Sequence, residues 1–508
     1  MINLNRLLQG SISVCLILTA GVASGAVINV PAGGDLQAAL NSANPGDVIL
    51  LAPGVTYTGN FTLPEKSGTA EILVTTNQTI PSLRVTPSSA AQFAKLAPPN
   101  GGSVVSVAPY AAHWRLLGLE IAAKAGVYNY GLVNFTSPTP TDENSYPAHI
   151  RVDRCYIHGD PSAGTKRGIA LNGIDISIEN SYVKDVKSNW QDSQAIAGWT
   201  GPGPFLITNN YLEGGQAILF GGAAPSIPNL IPSNITITNN YMSRPMSWKG
   251  VWPVKNQLEF KIGVNVNITG NVIENNWASW QNGYIILFTV RTCEAGNYSW
   301  SRIQNVNFSY NLVRNSDYGV NILGTDNARS GCGGGVAGLT SDVTIANNLF
   351  ESINYGFFQL LSGAKDITVD HNTVMENGDI MGLDGTPSYG FVFENNITGF
   401  APSGVLGNGT NGVLTTFAKF APDGVYQHNA MITPSQYAYL ESRYPKLNYF
   451  PSSIDAVDFV DYGSLDYALQ ATSPYAGAGT DGKDLGADYN GVTTNTATAV
   501  SGNALLGN

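Results

Sequence analysis

Residues 235–243 read ITITNNYMS, and residues 343–351 read VTIANNLFE. In both segments apolar and polar residues alternate up to a pair of asparagines, and an apolar residue follows the pair. Alternation with a period of two is typical of a short β-strand that buries one face. Each segment therefore predicts a strand that leads to an asparagine in a fixed position, Asn240 in the first and Asn348 in the second.

The same nine-residue pattern recurs along most of the chain. It begins ten times between Ile150 and Ala430, at irregular intervals of roughly 24 to 40 residues, which indicates one supersecondary unit per repeat, stacked on its neighbours. The first two repeats hold Cys155 and Ser181 in the fixed position, and we interpret Cys155 as a buried structural thiol. The other eight hold asparagine: Asn210, Asn240, Asn271, Asn311, Asn348, Asn372, Asn396 and Asn429. An amide in a fixed position predicts a structural ladder of side chains spaced by about 4.8 Å.

The ends of the chain carry different signals. Residues 1–26 contain one cation, Arg6, then an apolar run and small residues before Ala26, which predicts a secretory signal peptide and an extracellular or periplasmic protein. Residues 27–435 are predicted to form the solenoid, and a short amphipathic helix from Asp35 to Ser42 is predicted to cap its first coil. Residues 436–491 are predicted to close the other end, and residues 492–508 to form a flexible tail.

The opening segment and the asparagine ladder together resemble the right-handed parallel β-helix superfamily, often called pectin lyase-like, over most of residues 27–435. The resemblance implies an all-β fold: a single-stranded right-handed parallel β-helix with an N-terminal capping helix and an internal asparagine ladder. We expect a monomer without a membrane span. The motifs of the polygalacturonases and of the pectate lyases are absent from the sequence, so the resemblance implies a fold and not a reaction.

A second strand lies between successive repeats, and its outward positions are candidates for a binding face. Taking Ile218, Phe260 and Ile286 as inward residues makes Glu259 and Lys261 the charged outward pair. The same alternation makes Ala195, Ala217 and Ile285 outward residues, with Ala217 and Ile285 in the column of Glu259. In carbohydrate-active members of the superfamily this face forms the floor of the substrate groove, so the resemblance implies a role for both residues. An ordinary solvated ion pair is the alternative.

The loops around this strand are rich in tryptophan and in positive charge. Five of the eight tryptophans fall between Arg244 and Arg302, where cations outnumber carboxylates although the whole chain has a net charge of −11. A local cationic groove suits a polyanionic polysaccharide, whereas the overall negative charge argues against nucleic acid. The tryptophans either stack on sugar rings or pin the loops to the barrel. The predicted substrate-binding residues are Lys249, Lys255, Trp248, Trp252, Trp277, Trp280, Gln281 and Asn321.

Three functions remain open at this point. The first is β-elimination on a uronic-acid polysaccharide, with Lys261 as the base, Arg291 on the substrate carboxylate, and Glu259 either orienting Lys261 or binding Ca²⁺. The second is hydrolysis, which needs two carboxylates about 5 to 9.5 Å apart, so Glu259 would need a partner from a loop. The third is a non-catalytic glycan binder, adhesin or assembly subunit. The candidate partners for hydrolysis are Asp192, Glu294 and Asp326.

Two cysteines lie in glycine-rich insertions one repeat apart. The spacing of Cys293 and Cys332 permits a disulfide between neighbouring loops in an oxidising compartment, and the sequence alone leaves open whether the bond forms.

Overall fold

The computed structural model describes residues 25–135, 140–223, 225, 227–291, 300–325 and 338–504. Over these residues the chain winds into a parallel β-helix, and successive coils stack their strands into three parallel sheets. The predicted fold class is confirmed. The predicted signal peptide lies almost entirely outside the described residues, and no helix in the described part of the chain is long and apolar enough to cross a membrane.

Sheet I contains the alternating strands that precede the asparagines. Its fourteen strands pair in chain order, each with the strand one coil away. They are Val27–Val30, Val48–Leu51, Ile72–Thr76, Ala112–Leu117, Ala148–Asp153, Ile174–Glu179, Phe205–Thr208, Ser233–Thr238, Gly263–Thr269, Ile303–Ser309, Thr340–Ala346, Lys365–Asp370, Tyr389–Glu394 and Val425–Gln427.

Sheet II contains the short strands that follow the asparagines. Its strands are Thr56–Thr58, Ala94–Ala97, Leu119–Ala122, Tyr156–His158, Tyr182–Val186, Tyr211–Gly214, Tyr241–Met242, Val272–Asn276, the first parts of Leu312–Leu323 and Leu349–Leu361, Thr373–Glu376, Ile397–Thr398 and Ala430–Met431.

Sheet III contains the strand that the sequence analysis placed between successive repeats, which is the third strand of each coil. It carries the candidate site. Its strands are Phe61–Leu63, Val105–Val107, Val133–Asn134, Arg167–Ala170, Gln194–Gly198, Gln216–Phe220, Leu258–Phe260, Tyr284–Thr289, the last parts of Leu312–Leu323 and Leu349–Leu361, Asp379–Asp384 and Val405–Gly407. Thr410–Asn411 pairs antiparallel with the last of these, and Phe459–Asp461 pairs antiparallel with Asp466–Leu469 outside the solenoid.

The eight asparagines in the fixed position lie at the turn between sheets I and II. Each of them is buried and follows a residue with φ between 48° and 69°, a left-handed conformation that asparagine and glycine adopt more readily than most residues. The buried asparagine itself recurs because its amide forms hydrogen bonds with the coils on both sides. Asn311 illustrates the contacts: its Nδ2 donates to Oδ1 of Asn348 and to the main-chain oxygen of Ile268, each at 3.0 Å. Its Oδ1 accepts from the main-chain N and from Nδ2 of Asn271, each at 3.0 Å.

The series of hydrogen-bonded asparagines extends one residue beyond the repeats recognised in the sequence. Asn429 donates from its Nδ2 to Oδ1 of Asn448 at 3.1 Å, although the residues before Asn448 do not form a strand of sheet I. At the other end, the fixed position one coil before Ser181 holds Cys155 and not an asparagine. The main-chain N of Cys155 donates to the Ser181 hydroxyl at 3.1 Å. The Cys155 thiol is buried, and burial raises its pKa to about 12, consistent with a structural residue.

The first coil is covered by helix α1, Leu36–Ser42. The Asp35 side chain accepts a hydrogen bond from the main-chain N of Ala38, which caps the helix, and Leu36 and Leu40 are buried in the main core. At the far end of the solenoid, helix α2, Val413–Phe420, buries Phe417 and Phe420 in the same core. Without these side chains, the two ends of the solenoid would expose apolar core residues and unpaired backbone groups to water.

The chain after the solenoid differs from the prediction in two respects. Within residues 436–491, Tyr444 and Phe450 pack at the end of the core, but Val457, Phe459 and Tyr475 pack on the outer flank of sheet II. That part of the segment therefore covers a side of the solenoid and not its end.

Residues 492–504, which the sequence analysis assigned to a flexible tail, form most of a helix. Helix α3, Tyr489–Ala504, packs against sheet II with Val492, Thr496 and Ala499 buried. These residues are spaced four and three apart and share one face of a helix. Two of the three are small or polar, which is why the sequence did not indicate an amphipathic helix.

Arg84 connects helix α3 to the solenoid. Its side chain is 2% exposed, and its guanidinium donates to the main-chain oxygen of Asn210 at 3.0 Å and of Ala499 at 2.6 Å. Burial lowers the pKa of Arg84 to about 10. A long-range contact of this kind holds the C-terminal helix along the flank of the solenoid.

Glu376 is a buried carboxyl at the end of a strand of sheet II. Its Oε2 accepts from the main-chain N of Gly399 at 3.1 Å, and its Oε1 has no hydrogen-bond partner within the described ranges. Burial raises the pKa of Glu376 from 4.5 to about 8. The folded protein therefore favours the neutral carboxylic acid at this position.

Candidate functional site

The outer face of sheet III has a register that the sequence predicted only in part. Leu219, Glu259 and Leu287 are neighbours across three coils, as are Phe220, Phe260 and Phe288. The sequence analysis instead placed Ala217 and Ile285 beside Glu259.

The error is a shift of two residues, because Phe260 was aligned with Ile218 and Ile286 whereas Leu258 pairs with both. A bend near the start of these strands causes a second difference. The main-chain oxygen of Gln257 accepts from both Ala217 and Ile218 at 3.0 Å, and two consecutive residues then point inward. A strict alternation of two cannot predict such an irregularity. The buried residues that were expected to point outward are Ala195, Ala217 and Ile285.

Glu259 lies on the outer face but is only 2% exposed. Its Oε2 accepts from Nε2 of Gln216 at 2.5 Å, and Oε1 of Gln216 accepts from Nε2 of Gln194 at 3.0 Å. This chain of three side chains runs across three successive coils. Glu259 is thus held by amides and covered by neighbours, so it fits a positioning role better than direct contact with a substrate.

Lys261 follows on the same face and is 9% exposed. Gly221, one coil earlier, makes room for it: a Cβ built on Gly221 would lie 2.6 Å from Cβ of Lys261 and 3.3 Å from its Cδ. The aliphatic part of Lys261 therefore lies across Gly221, which has φ of +130°. A glycine at this position fixes the direction in which the lysine leaves the strand.

Lys261 lines a cavity of about 600 Å³, which we call the lysine cavity. Two cations from an earlier coil, Lys166 and Arg167, line the same cavity. Partial burial and the charge of Arg167 lower the pKa of Lys166, and burial lowers the pKa of Arg167. Of the described residues in its wall, Asp192 is the one carboxylate, and its Oδ2 lies 2.5 Å from Nζ of Lys255. The cavity is therefore predominantly cationic.

Arg291 lines a smaller neighbouring cavity of about 180 Å³, the arginine cavity. Its main-chain N donates to the main-chain oxygen of Lys261 at 3.1 Å, so the two residues lie on adjacent coils. Gln281 and Asn321, both predicted to bind substrate, line this cavity too. Glu259 lies between the two cavities, because Leu219 belongs to one wall and Leu287 to the other.

The four predicted loop tryptophans separate into two groups. Trp280 is 44% exposed and lines the lysine cavity, where it can present a ring face to a ligand. Trp248 and Trp277 are buried together with Val254, and the half-buried Trp252 packs against them. For Trp248 and Trp277 the predicted contact with sugar is therefore wrong. They pin the loop to the barrel, because burial of their indoles removes a large apolar surface from water.

The cations of the same loop also differ in their surroundings. Lys255 reaches the edge of the lysine cavity through its ion pair with Asp192. Lys249 is exposed and is not among the described residues that line either cavity. Arg244 is fully buried and donates to the main-chain oxygens of Lys255 and Asn256 at 2.9 and 3.0 Å, so it anchors the loop. Burial lowers the pKa of Arg244 to about 9.

The Ca²⁺ role of Glu259 and the disulfide both stay predictions. The described ranges contain no group of three or more His, Cys, Asp or Glu residues placed to hold a metal ion, and Glu259 has no second carboxylate beside it in its column. Cys293 and Cys332 lie outside the described residues, as do Glu294 and Asp326.

The sequence analysis missed Arg167, Lys166 and Trp190, all of which line the lysine cavity. Arg167 aligns with Gln194 and Gln216 at the first outward position of sheet III, before the bend. Arg167 could have been found by including the residues at the start of each sheet III strand among the outward positions. Trp190 lies in a short loop before the strand Gln194–Gly198, outside the tryptophan-rich segment that drew attention in the sequence.

A scan against models of known protein families and a sequence search of curated proteins both give no match. Among solved structures, the chain is similar to an alginate lyase from Paenibacillus sp. strain FPU-7, with 15% identity, 70% of this chain and 95% of that chain covered, and a TM-score of 0.33. It is also similar to a mannuronic acid specific polysaccharide family 6 lyase from human gut microbiota, with 12% identity, coverages of 83% and 91%, and a TM-score of 0.46.

A third similar structure is a GH87 α-1,3-glucanase from Streptomyces thermodiastaticus strain HF3-3, with 14% identity, coverages of 85% and 68%, and a TM-score of 0.40. Similarity at this level does not assign a reaction. The function is therefore inferred from the residues of this chain.

Proposed function

We propose that the protein is a secreted polysaccharide lyase that cleaves a uronic-acid-containing polysaccharide by β-elimination. The observation that carries the proposal is the lysine cavity itself, where Lys261, Lys166 and Arg167 share one open wall with exposed indoles. Fixed cations on a low-dielectric scaffold attract a polyanion even when the overall charge is negative.

The chemistry follows from the position of the cations. A cation on the uronate carboxylate withdraws charge and acidifies the adjacent C5 proton. Arg291, on the coil next to Lys261, can hold the carboxylate through two parallel hydrogen bonds. A neutral amine at Lys261 then removes the C5 proton. The C5–H electron pair becomes the C4–C5 double bond, the C4–O bond breaks, and the departing oxygen takes up a proton.

Glu259 and its amide partners support this arrangement from below. Because Gln194, Gln216 and Glu259 are linked by hydrogen bonds across three coils, they fix the floor of the groove beside Lys261. Hydrolysis would need two carboxylates facing the substrate. Within the described residues, the cavity walls offer Asp192, which is paired with Lys255, and Glu259 is covered.

The test is incubation of the purified protein with a panel of uronic-acid polysaccharides, in the presence and absence of Ca²⁺, while ultraviolet absorbance is followed. Unsaturated chain ends absorb, so a lyase raises the absorbance. We expect Lys261→Ala to reduce the initial rate by about a hundredfold or more. Lys365→Ala, a change of an exposed lysine on sheet I, is the control and should leave the rate unchanged.

Three results would contradict the proposal or its assignment of the base. New reducing ends without absorbance would indicate a hydrolase, and full activity of Lys261→Ala would place the base elsewhere. Retention of the polysaccharide without any product would support a binding protein. Recovery of the mature protein from the culture medium or periplasm tests the proposed secretion.

A further inference from the structure

Three aromatic side chains form an exposed cluster beyond one end of the lysine cavity. The ring centroids of Tyr128 and Trp190 are 4.8 Å apart, those of Tyr128 and Tyr130 are 5.2 Å apart, and those of Tyr130 and Trp190 are 6.1 Å apart. Tyr130 is 60% exposed and Trp190 is 58% exposed. Aromatic rings that are clustered and open to water can mark a binding site. We call this cluster the aromatic platform.

The platform is held in place by polar contacts of its own. The Tyr128 hydroxyl donates to the hydroxyl of Ser188 at 3.2 Å and accepts from Nε2 of Gln191 at 2.6 Å. Asn129, between the two tyrosines, is buried, and its Nδ2 donates to the main-chain oxygen of Gly102 at 2.8 Å. The rings therefore face solvent from a fixed frame, and a ligand that stacks on them does not have to order the loop first.

The platform is continuous with the candidate site. Trp190 belongs both to the platform and to the wall of the lysine cavity. On sheet III, the strand of Lys261 and the strand Val133–Asn134, which follows Tyr130, are four coils apart. Coils are spaced by about 4.8 Å, so this separation is about 19 Å. Lys166 and Arg167 lie between the two ends of this path.

This geometry matches one extended glycan chain. The coil spacing is close to the length of one sugar unit in an extended polysaccharide, so a chain bound at Lys261 reaches the platform several units later. The carboxylates of intervening uronate units can pair with Lys166 and Arg167. The indole of Trp190 and the ring of Tyr130 can then pack against the apolar C–H face of a pyranose.

We propose that Tyr128, Tyr130 and Trp190 form a subsite that extends from the wall of the lysine cavity, at Trp190, to Tyr130, several sugar units away from Lys261, and that binds the same polysaccharide chain. The subsite selects for long substrates, because a short oligosaccharide at Lys261 does not reach Tyr130. This inference rests on the proposed function for the identity of the substrate. It adds a prediction about chain length that the reaction by itself does not make.

The first experiment measures kcat and KM on purified uronic-acid oligosaccharides of increasing length, with the polysaccharide from the panel that gives the highest rate. We expect KM to fall as the chain becomes long enough to reach the platform. Tyr130→Ala should raise KM for long chains by about fivefold and leave KM for the shortest cleaved chains unchanged, because Tyr130 lies outside the walls of both cavities. Tyr389→Ala, a change of an exposed tyrosine on sheet I, is the matched control.

The second experiment separates this subsite from the reaction. Migration of the protein is measured in native gels that contain either an acidic or a neutral polysaccharide, for wild type, Trp190→Ala and Tyr130→Ala. Retardation by the acidic polymer that both changes weaken supports the subsite even if no product is ever found. Cleavage that is independent of chain length and of Tyr130, with unchanged retardation, overturns the subsite and leaves the proposed lyase intact.

Discussion

The position of Lys261 can be tested without changing Lys261 itself. A Cβ on Gly221 would lie 2.6 Å from Cβ of Lys261, and ordinary contacts begin near 3.4 Å, so Gly221→Ala must push the two coils apart by about 0.8 Å. Neither Cβ can rotate away, since both are fixed by the backbone. A displacement of about 1 Å of a catalytic group can cost about a hundredfold in rate. We expect kcat to fall by that order.

The matched control is Gly222→Ala. Gly222 has φ of +83° and Gly221 has φ of +130°, so an alanine at either position introduces backbone strain of about 1 to 3 kcal/mol. A Cβ on Gly222, however, would meet only the flexible end of Leu219, at 3.3 Å. Gly222 lines the lysine cavity, so we expect its effect mainly in KM.

The assay is a comparison of kcat and KM for both variants by absorbance of unsaturated products, with thermal unfolding of each variant measured in parallel. The reasoning is refuted if the two variants lose kcat equally, because strain alone would then explain the loss. It is also refuted if Gly221→Ala keeps the kcat of the wild type.

Three further changes test the fold. Asn311→Ala removes five buried hydrogen bonds and should lower the free energy of unfolding, measured in denaturant titrations, by about 3 kcal/mol. Asn307→Ala, on the solvent side of the same coil, is the control and should change the free energy of unfolding by less than about 0.5 kcal/mol. Burial raises the pKa of Glu376, so its contribution to the free energy of unfolding is greatest below pH 4.5 and is lost as the pH rises toward about 8. Glu376→Gln should therefore flatten this part of the profile of stability against pH. Arg84→Met should release helix α3 and make it sensitive to limited proteolysis, while the spectrum of the solenoid remains unchanged.

These three tests have clear contrary outcomes. Equal losses in the free energy of unfolding for Asn311→Ala and Asn307→Ala would mean that the buried amides stabilise the fold no more than exposed amides do. If the stability of Glu376→Gln depends on pH more steeply than that of the wild type, a group other than Glu376 controls this dependence. Resistance of Arg84→Met to proteolysis would show that apolar contacts alone hold the helix.

The repeating coils could be predicted from the sequence because each coil repeats the same local requirement. A strand with alternating burial, a left-handed residue and a buried amide recur within nine residues, so the pattern is visible without tertiary contacts. Helix α3 could not be predicted in the same way. Its buried face is made of Val492, Thr496 and Ala499, and their burial depends on the flank of a sheet formed by residues far away in the chain.

The candidate site shows the same division. Lys261, Arg291 and Trp280 were found because charge and tryptophan are concentrated in one stretch of sequence. Arg167 and Trp190 were missed because coil stacking, and not sequence proximity, brings them to the cavity of Lys261.

The sequence by itself therefore determined the stacked repeats and the segment that holds the candidate base, since these depend on periodicity and local composition. Only the tertiary structure decided which outward residues share a cavity. Strand pairing in sheet III places Leu219 and Leu287 beside Glu259, burial removes Trp248 and Trp277 from the groove, and stacking of coils adds Arg167 and Trp190 to it. The physical reason is that a cavity is formed between coils, whereas a repeat is encoded within one.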